Sequence, residues 1–100
     1  MQIQIHPIHF QTDARLEETI QEKVGRLTHY YAKIERADVY LKLDNNDAQV
    51  KQKVVEIRLH VPGADLFTSQ TSNMFEAALD LSIDQIKKQL IRKKEKQLEH

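Results

Sequence analysis

The 100-residue chain has no cysteine and no tryptophan, and it contains only two glycines and two prolines. The lack of cysteine excludes disulfides, thiol nucleophiles and cysteine-ligated zinc, and it fits a reducing compartment. No apolar run approaches the roughly 20 residues that span a bilayer. The start MQIQIHPIHF lacks the basic, apolar and small-residue segments of a secretion signal. We therefore expect a cytoplasmic protein with no membrane partner.

The scarcity of glycine also argues against the common enzyme motifs. Gly25 and Gly63 are isolated, so there is neither a phosphate-binding loop nor a dinucleotide fingerprint, and G-x-S-x-G is missing as well. The loop 44–47 offers oxygen ligands but lacks the glycine and closing glutamate of an EF-hand. His6 and His9 are three apart on a strand, which places them on opposite faces unless a bulge intervenes. His29 and His60 have no spaced partner, so surface histidines are favoured over a metal site. We expect no enzymatic activity, no metal site, no cofactor and no small-molecule substrate.

Length and charge indicate one domain with an uneven charge distribution. With 40% hydrophobic and 30% charged residues, the chain is typical of a single globular domain, which we place at residues 1–97. Residues 98–100 resemble the start of a vector-encoded histidine tag. Residues 85–100 carry six basic and two acidic side chains, although the whole chain is formally neutral. Such asymmetry suggests a local electrostatic function.

Alternating apolar residues predict four strands. The first, IQIHPIHF, changes its alternation phase at Pro7, which indicates a bulge or an edge strand. ADVYLKLD and VVEIRLHV alternate regularly, and Pro62-Gly63 is a strong turn signal before the weaker strand ADLFTSQTS.

Apolar residues at helical spacing predict two helices. The first follows the N-cap candidates Thr12 and Asp13 and extends for about 20 residues, as far as Ile34. On a helical wheel Arg15, Arg26 and Lys33 share one flank of its apolar stripe, with Lys23 at the edge.

The second helix is longer than the sheet is wide. It runs to about Lys96 with Ile86 and Leu90 on its buried face, and its last turns should overhang the strands. The order β-α-β-β-β-α predicts an α+β two-layer sandwich: a four-stranded, mostly antiparallel sheet with two helices on one face.

The basic end of the second helix has two interpretations. Lysines near a helix C-terminus complement the helix dipole, which would make this a solvated helix end. The dipole acts mainly on the terminal turn, however, and does not require six cations within ten residues. The alternative is a surface that binds phosphates.

Four segments resemble the bacterial ribosome hibernation-promoting factor family, over residues 1 to about 96. They are QEKVGRLTHYYAKI, DVYLKLD, HVPGADLF and NMFEAALDLSIDQIKKQLIRKKEK. The last is the most specific, since an aromatic-x-Ala-Ala-x-Asp pattern is followed by Gln-Leu and repeated basic residues.

The resemblance implies a non-catalytic stress and stationary-phase protein that binds the small ribosomal subunit between head and body. There it would occupy the decoding region, contact ribosomal RNA, inhibit translation and promote ribosome hibernation. Without an added C-terminal domain the chain resembles the short form, which implies a separate ribosome-dimerising factor as a further partner. Basic residues on both helices would contact the RNA: Lys23, Arg26, Lys33, Lys87, Lys88, Arg92, Lys93, Lys94 and Lys96.

A second hypothesis belongs to another class of protein. The chain could be a protein interaction module that forms homodimers or pairs with a partner through an exposed sheet edge. Its binding should depend little on salt, whereas RNA binding should weaken steeply as salt is added.

Overall fold

The structure is a computed structural model that describes residues 1–44 and 52–98, with side chains up to residue 96. The loop 45–47 and the tag-like residues 99 and 100 lie outside the described residues. The chain forms four strands and two α-helices, with a 3-10 helix at Arg26–His29. In chain order the elements are β1 (Gln2–Pro7), α1 (Ala14–Gly25), β2 (Arg36–Asp44), β3 (Gln52–Val61), β4 (Ala64–Ser72) and α2 (Phe75–Leu98).

The strands form one sheet in the order β1-β2-β3-β4. β1 is parallel to β2, because α1 carries the chain back across the sheet, and the other two pairs are antiparallel. The predicted α+β class and element order are confirmed. At the tight turn between β3 and β4, Gly63 has a φ of 81°, a value that glycine adopts without steric cost.

The core lies between the helices and one face of the sheet. Alternate residues of β3, from Val55 to Val61, are buried, as the alternation predicts. The helices contribute Ile20 and Val24 from α1, with Leu79, Ile86 and Leu90 among the buried residues of α2. These contacts fix how the helices lie across the strands.

A buried serine interrupts the apolar face of α2. Ser82 is fully buried, and its hydroxyl lies 3.0 Å from the carbonyl oxygen of Val55 and 2.9 Å from that of Ala78. A buried hydroxyl needs such partners, so Ser82 also ties α2 to β3.

The first helix is shorter than predicted. Asp13 caps α1 by accepting a hydrogen bond from the backbone N–H of Leu16 at 2.7 Å, but the helix has 12 residues and ends at Gly25. The chain tightens into the 3-10 helix, where the Thr28 hydroxyl donates to the Gly25 carbonyl at 2.9 Å, and then turns towards β2. The prediction of about 20 residues was wrong. Tyr31 and Ile34 continue the helical spacing of apolar residues and are buried, but they lie in a non-helical segment.

Gly25 does not serve close packing. A Cβ built at this position would meet nothing within 4 Å, and the backbone is in the ordinary helical region. Gly25 is the last residue of α1, and its low helix propensity fits the change to the 3-10 helix that follows.

The phase change near Pro7 marks the end of the first strand. β1 lies at an edge of the sheet, as the proline indicated, and ends at that residue. His9 then adopts a positive φ of 64°, and Phe10 stacks on Phe75 of α2 with ring centroids 5.2 Å apart. The second set of apolar residues therefore belongs to the crossover towards α1.

No helix among the described residues combines the length and apolar composition needed to cross a membrane.

Candidate nucleic-acid interface

The attachment of α2 to the sheet ends near Leu90. Ile86 and Leu90 are fully buried, and the Gln89 side chain donates a hydrogen bond to the Phe67 carbonyl at 2.9 Å. Ile91 is 37% exposed, and no side chain that the structure describes between it and Lys96 is buried. The last turns of α2 thus present mainly charged side chains to solvent.

The structure brings three of the nine candidate cations together between the helices. Lys23, Arg26 and Lys87 line one groove with Tyr30 and Asp80, which we call the interhelical groove. Its volume is about 330 Å³. Cations from α1, from the 3-10 helix and from α2 thus lie close together, and their role in binding RNA stays a prediction.

Acidic side chains partly neutralise the interhelical groove. Lys23 forms an ion pair with Asp80 at 2.6 Å, and Arg26 pairs with Glu22 one helical turn earlier. Lys87 instead lies over the Tyr30 ring, with its Nζ 4.9 Å from the centroid. Exposed ion pairs contribute little free energy. These lysine and arginine side chains can therefore exchange an internal carboxylate for an external phosphate at low cost.

Lys33 and Lys94 meet at a second site. Both line a cavity whose other walls come from residues 28–32, which we call the tyrosine cavity. Lys33 lies in the non-helical segment before β2, so its predicted place on the wheel beside Arg26 was wrong. Arg15, at the start of α1, does not share a groove with Arg26. It lines a different groove together with Lys53 of β3.

The remaining cations cover the other side of the end of α2. Arg92, Lys93 and Lys96 line a groove with Ala64 and Leu66, beside the turn between β3 and β4. Lys88 is exposed earlier on the same helix. The basic end of α2 therefore has two sides, and only the side with Lys87 and Lys94 lies against the segment after α1.

The uncovered face of the sheet carries a polar network that the sequence did not reveal. Asp38 is 5% exposed, and its carboxylate lies 2.9 Å from His6 Nε2, 2.9 Å from His60 Nε2 and 3.1 Å from Arg36 Nε. His60 Nδ1 is 3.0 Å from Asp65. His60 faces outward because its neighbours Leu59 and Val61 are buried, but only the register of three strands brings these groups together.

The network changes the titration of Asp38. Burial by itself raises the pKa of this carboxyl, but hydrogen bonds from His6 and His60 and the charge of Arg36 outweigh it, so the pKa lies below the ordinary value of 3.8. Asp38 thus contributes stability that is present above the unfolded pKa and is lost as the pH falls through the folded pKa.

We expect Asp38→Asn to lower the free energy of unfolding by about 1–3 kcal/mol at pH 7. The gap between variant and wild type should shrink as the pH falls below the ordinary carboxyl pKa of 3.8 and through the lower folded pKa, because the wild-type carboxyl then becomes protonated too. Urea denaturation at pH 7 and in acid measures both gaps. An equal gap at the two pH values would contradict the assigned role.

No group of three or more histidine, aspartate or glutamate side chains suited to a metal ion occurs in the described part of the chain. The end of α2 and the segment after α1 instead bring together cations and tyrosines, which suit anionic and aromatic partners.

Comparison with known proteins agrees with the fold and with the sequence patterns. The chain is 32% identical to a ribosome hibernation promoting factor of Azotobacter vinelandii, over 99% of this chain and 88% of that protein. It is 28% identical to the protein of that name from Salmonella typhimurium, with full coverage of both chains.

Solved structures share the fold. A ribosomal subunit interface protein from Coxiella burnetii superposes with a TM-score of 0.83 at 19% identity, covering 94% of this chain and 98% of that one. The N-terminal domain of Protein Y from Thermus thermophilus gives a TM-score of 0.79 at 22% identity, covering 92% and 98%. The family model described as Sigma 54 modulation protein / S30EA ribosomal protein matches residues 3–98, and the chain belongs to that family.

Proposed function

We propose that this protein is a non-catalytic factor that binds the small ribosomal subunit, occupies its decoding region, inhibits translation and promotes ribosome hibernation. The observation that carries the proposal is the basic surface formed by the end of α2 and the segment after α1. Lys87 and Lys94 of α2 meet Arg26 and Lys33 there.

The physical chemistry of this surface suits ribosomal RNA. Folded RNA is recognised largely through its shape and through contacts to phosphates and 2′-hydroxyls, which a rigid basic surface can provide without reading bases. Lysine acts as a point charge towards phosphate, whereas Arg26 and Arg92 can form bidentate contacts. The nine predicted cations supply enough contacts for tight, salt-dependent binding.

The names of the relatives support the same assignment. Proteins that match nearly the whole chain are named ribosome hibernation promoting factor, and a protein of the same fold is named a ribosomal subunit interface protein. We further propose a separate ribosome-dimerising factor as a partner.

The proposed function is tested by co-sedimentation with purified small subunits across a salt series. If six phosphates are contacted, affinity should fall about 10³-fold between 50 and 200 mM monovalent salt, because each contact releases a condensed counterion. The protein without subunits is the control for pelleting. Failure to co-sediment even at 50 mM salt would refute ribosome binding.

One observation keeps the interaction module as a second candidate. In the described part of the chain β1 and β4 each pair with a single strand, and Phe67 is 44% exposed on the uncovered face. A partner that adds a strand at such an edge would bind with little dependence on salt. The same salt series therefore distinguishes the two candidates.

A further inference from the structure

The tyrosine cavity has a shape and a composition of its own. It has a volume of about 320 Å³, within the range of small-ligand sites. Its walls are mainly apolar and include Tyr30, Tyr31 and Ala32, while the exposed Lys33 and Lys94 lie at its edge. The segment after α1 supplies all of the lining except Lys94, which comes from α2, so the cavity is complete only in the folded protein.

Tyr30 is held in a defined position beside this cavity. Its backbone N–H donates to the Leu27 carbonyl at 3.0 Å, and the Lys87 Nζ lies 4.9 Å from its ring centroid. The residue lines both the tyrosine cavity and the interhelical groove. Tyr31 next to it is 5% exposed and belongs to the core. A ring fixed in this way loses little conformational entropy when a flat group stacks on it.

The charges around the cavity favour an anionic partner. The interhelical groove contains Asp80 and Asp84, whereas no carboxylate lines the tyrosine cavity. The groove beside the turn between β3 and β4 also lacks carboxylates, but no aromatic ring lines it. Of these three sites, only the tyrosine cavity combines aromatic rings with unopposed lysines.

We propose that the tyrosine cavity binds one unstacked nucleobase of an RNA strand, with Lys33 and Lys94 holding the flanking phosphates. This inference rests on the proposed function, since it assigns a nucleobase subsite to the same RNA-binding surface. Proteins recognise unpaired RNA bases by stacking them on aromatic side chains, and cations beside the ring follow the backbone. The site adds a preference for exposed bases to a surface that otherwise reads phosphate and shape.

Two labelled oligoribonucleotides test the proposal by fluorescence anisotropy: hexaadenylate and an abasic ribose-phosphate chain of equal length. Wild-type protein should prefer hexaadenylate by about tenfold, the value of one stacked base. Tyr30→Leu keeps apolar bulk without the ring and should remove this preference, chiefly by weakening the binding of hexaadenylate. Tyr30→Phe should retain the preference.

Further variants guard against simple misfolding. Tyr40→Leu, on the uncovered face of the sheet, should retain the preference, as the matched control for losing a tyrosine ring. Ala32 lines the cavity and is exposed, so Ala32→Leu should narrow the cavity without changing the thermal midpoint of unfolding. This variant should show a reduced preference for hexaadenylate. Lys33→Gln combined with Lys94→Gln should weaken the binding of both chains equally.

The outcomes separate this inference from the proposed function. A Tyr30→Leu protein that still prefers hexaadenylate would overturn the nucleobase site, as would wild-type protein that binds small subunits but binds both oligonucleotides equally well. Failure of the wild-type protein to bind small subunits would instead overturn the proposed function.

Discussion

The variant Lys87→Glu/Arg92→Glu/Lys94→Glu is expected to lose binding to small ribosomal subunits by at least 100-fold while keeping its fold. Each substitution removes an attraction to phosphate and adds a repulsion of similar size. Arg92 and Lys94 are exposed and lie beyond Leu90, the last buried residue among the side chains of α2 that the structure describes. Their reversal should therefore change binding far more than stability.

Lys87 is the member of this set with a structural contact, since it lies over the Tyr30 ring. Glutamate at this position would also lie one turn from Asp84, which costs a few tenths of a kcal/mol. Circular dichroism and thermal unfolding measure whether the fold survives, and co-sedimentation measures binding.

A matched control reverses cations on the uncovered face of the sheet. Lys42→Glu/Arg58→Glu lowers the net charge by four units, against six for the first variant, but at side chains that line none of the basic grooves. It should bind subunits within a few-fold of wild type. Equal losses in both variants would show that net charge, and not the end of α2, determines binding.

Transfer RNA already bound to programmed small subunits is expected to exclude the protein. If both occupy the decoding region, the apparent Kd should rise in proportion to the tRNA concentration, reaching about 100-fold at 100 times the Kd of the tRNA. Equilibrium competition with fluorescently labelled protein measures this shift. In a cell-free translation system, the variants that bind small subunits more tightly should inhibit translation more strongly.

The competition needs a control for nonspecific charge effects. An RNA duplex of similar length supplies the same kind of phosphates without occupying the decoding region, and it should compete only weakly at equal concentration. Simultaneous binding of tRNA and protein would contradict occupancy of the decoding region while leaving ribosome binding intact.

The strands and the second helix could be predicted from the sequence because their signals are local. Alternation determines which residues of β3 are buried, and Pro62 and Gly63 determine the turn to β4. The end of α1 could not be predicted in this way. Leu27, Tyr31 and Ile34 are all buried, but the backbone leaves the helix at Gly25, and periodicity alone does not report that change.

The candidate site depended on tertiary arrangement. The sequence and the family resemblance predict that nine cations bind RNA, and this stays a prediction. How they group could not be predicted: Lys23 and its partner Asp80 are 57 positions apart, and Lys33 reaches Lys94 only through the turn after α1. The Asp38 network likewise depends on the register of β1, β2 and β3.

The most direct test is an electron cryo-microscopy structure of the protein bound to the small ribosomal subunit. The account predicts density in the cleft between head and body, with the end of α2 and the segment after α1 against ribosomal RNA. Lys87, Lys94 and Lys33 should lie within contact distance of phosphates, and the uncovered face of the sheet should point away from the RNA. Density at another place on the subunit, or contact through the sheet face, would contradict it.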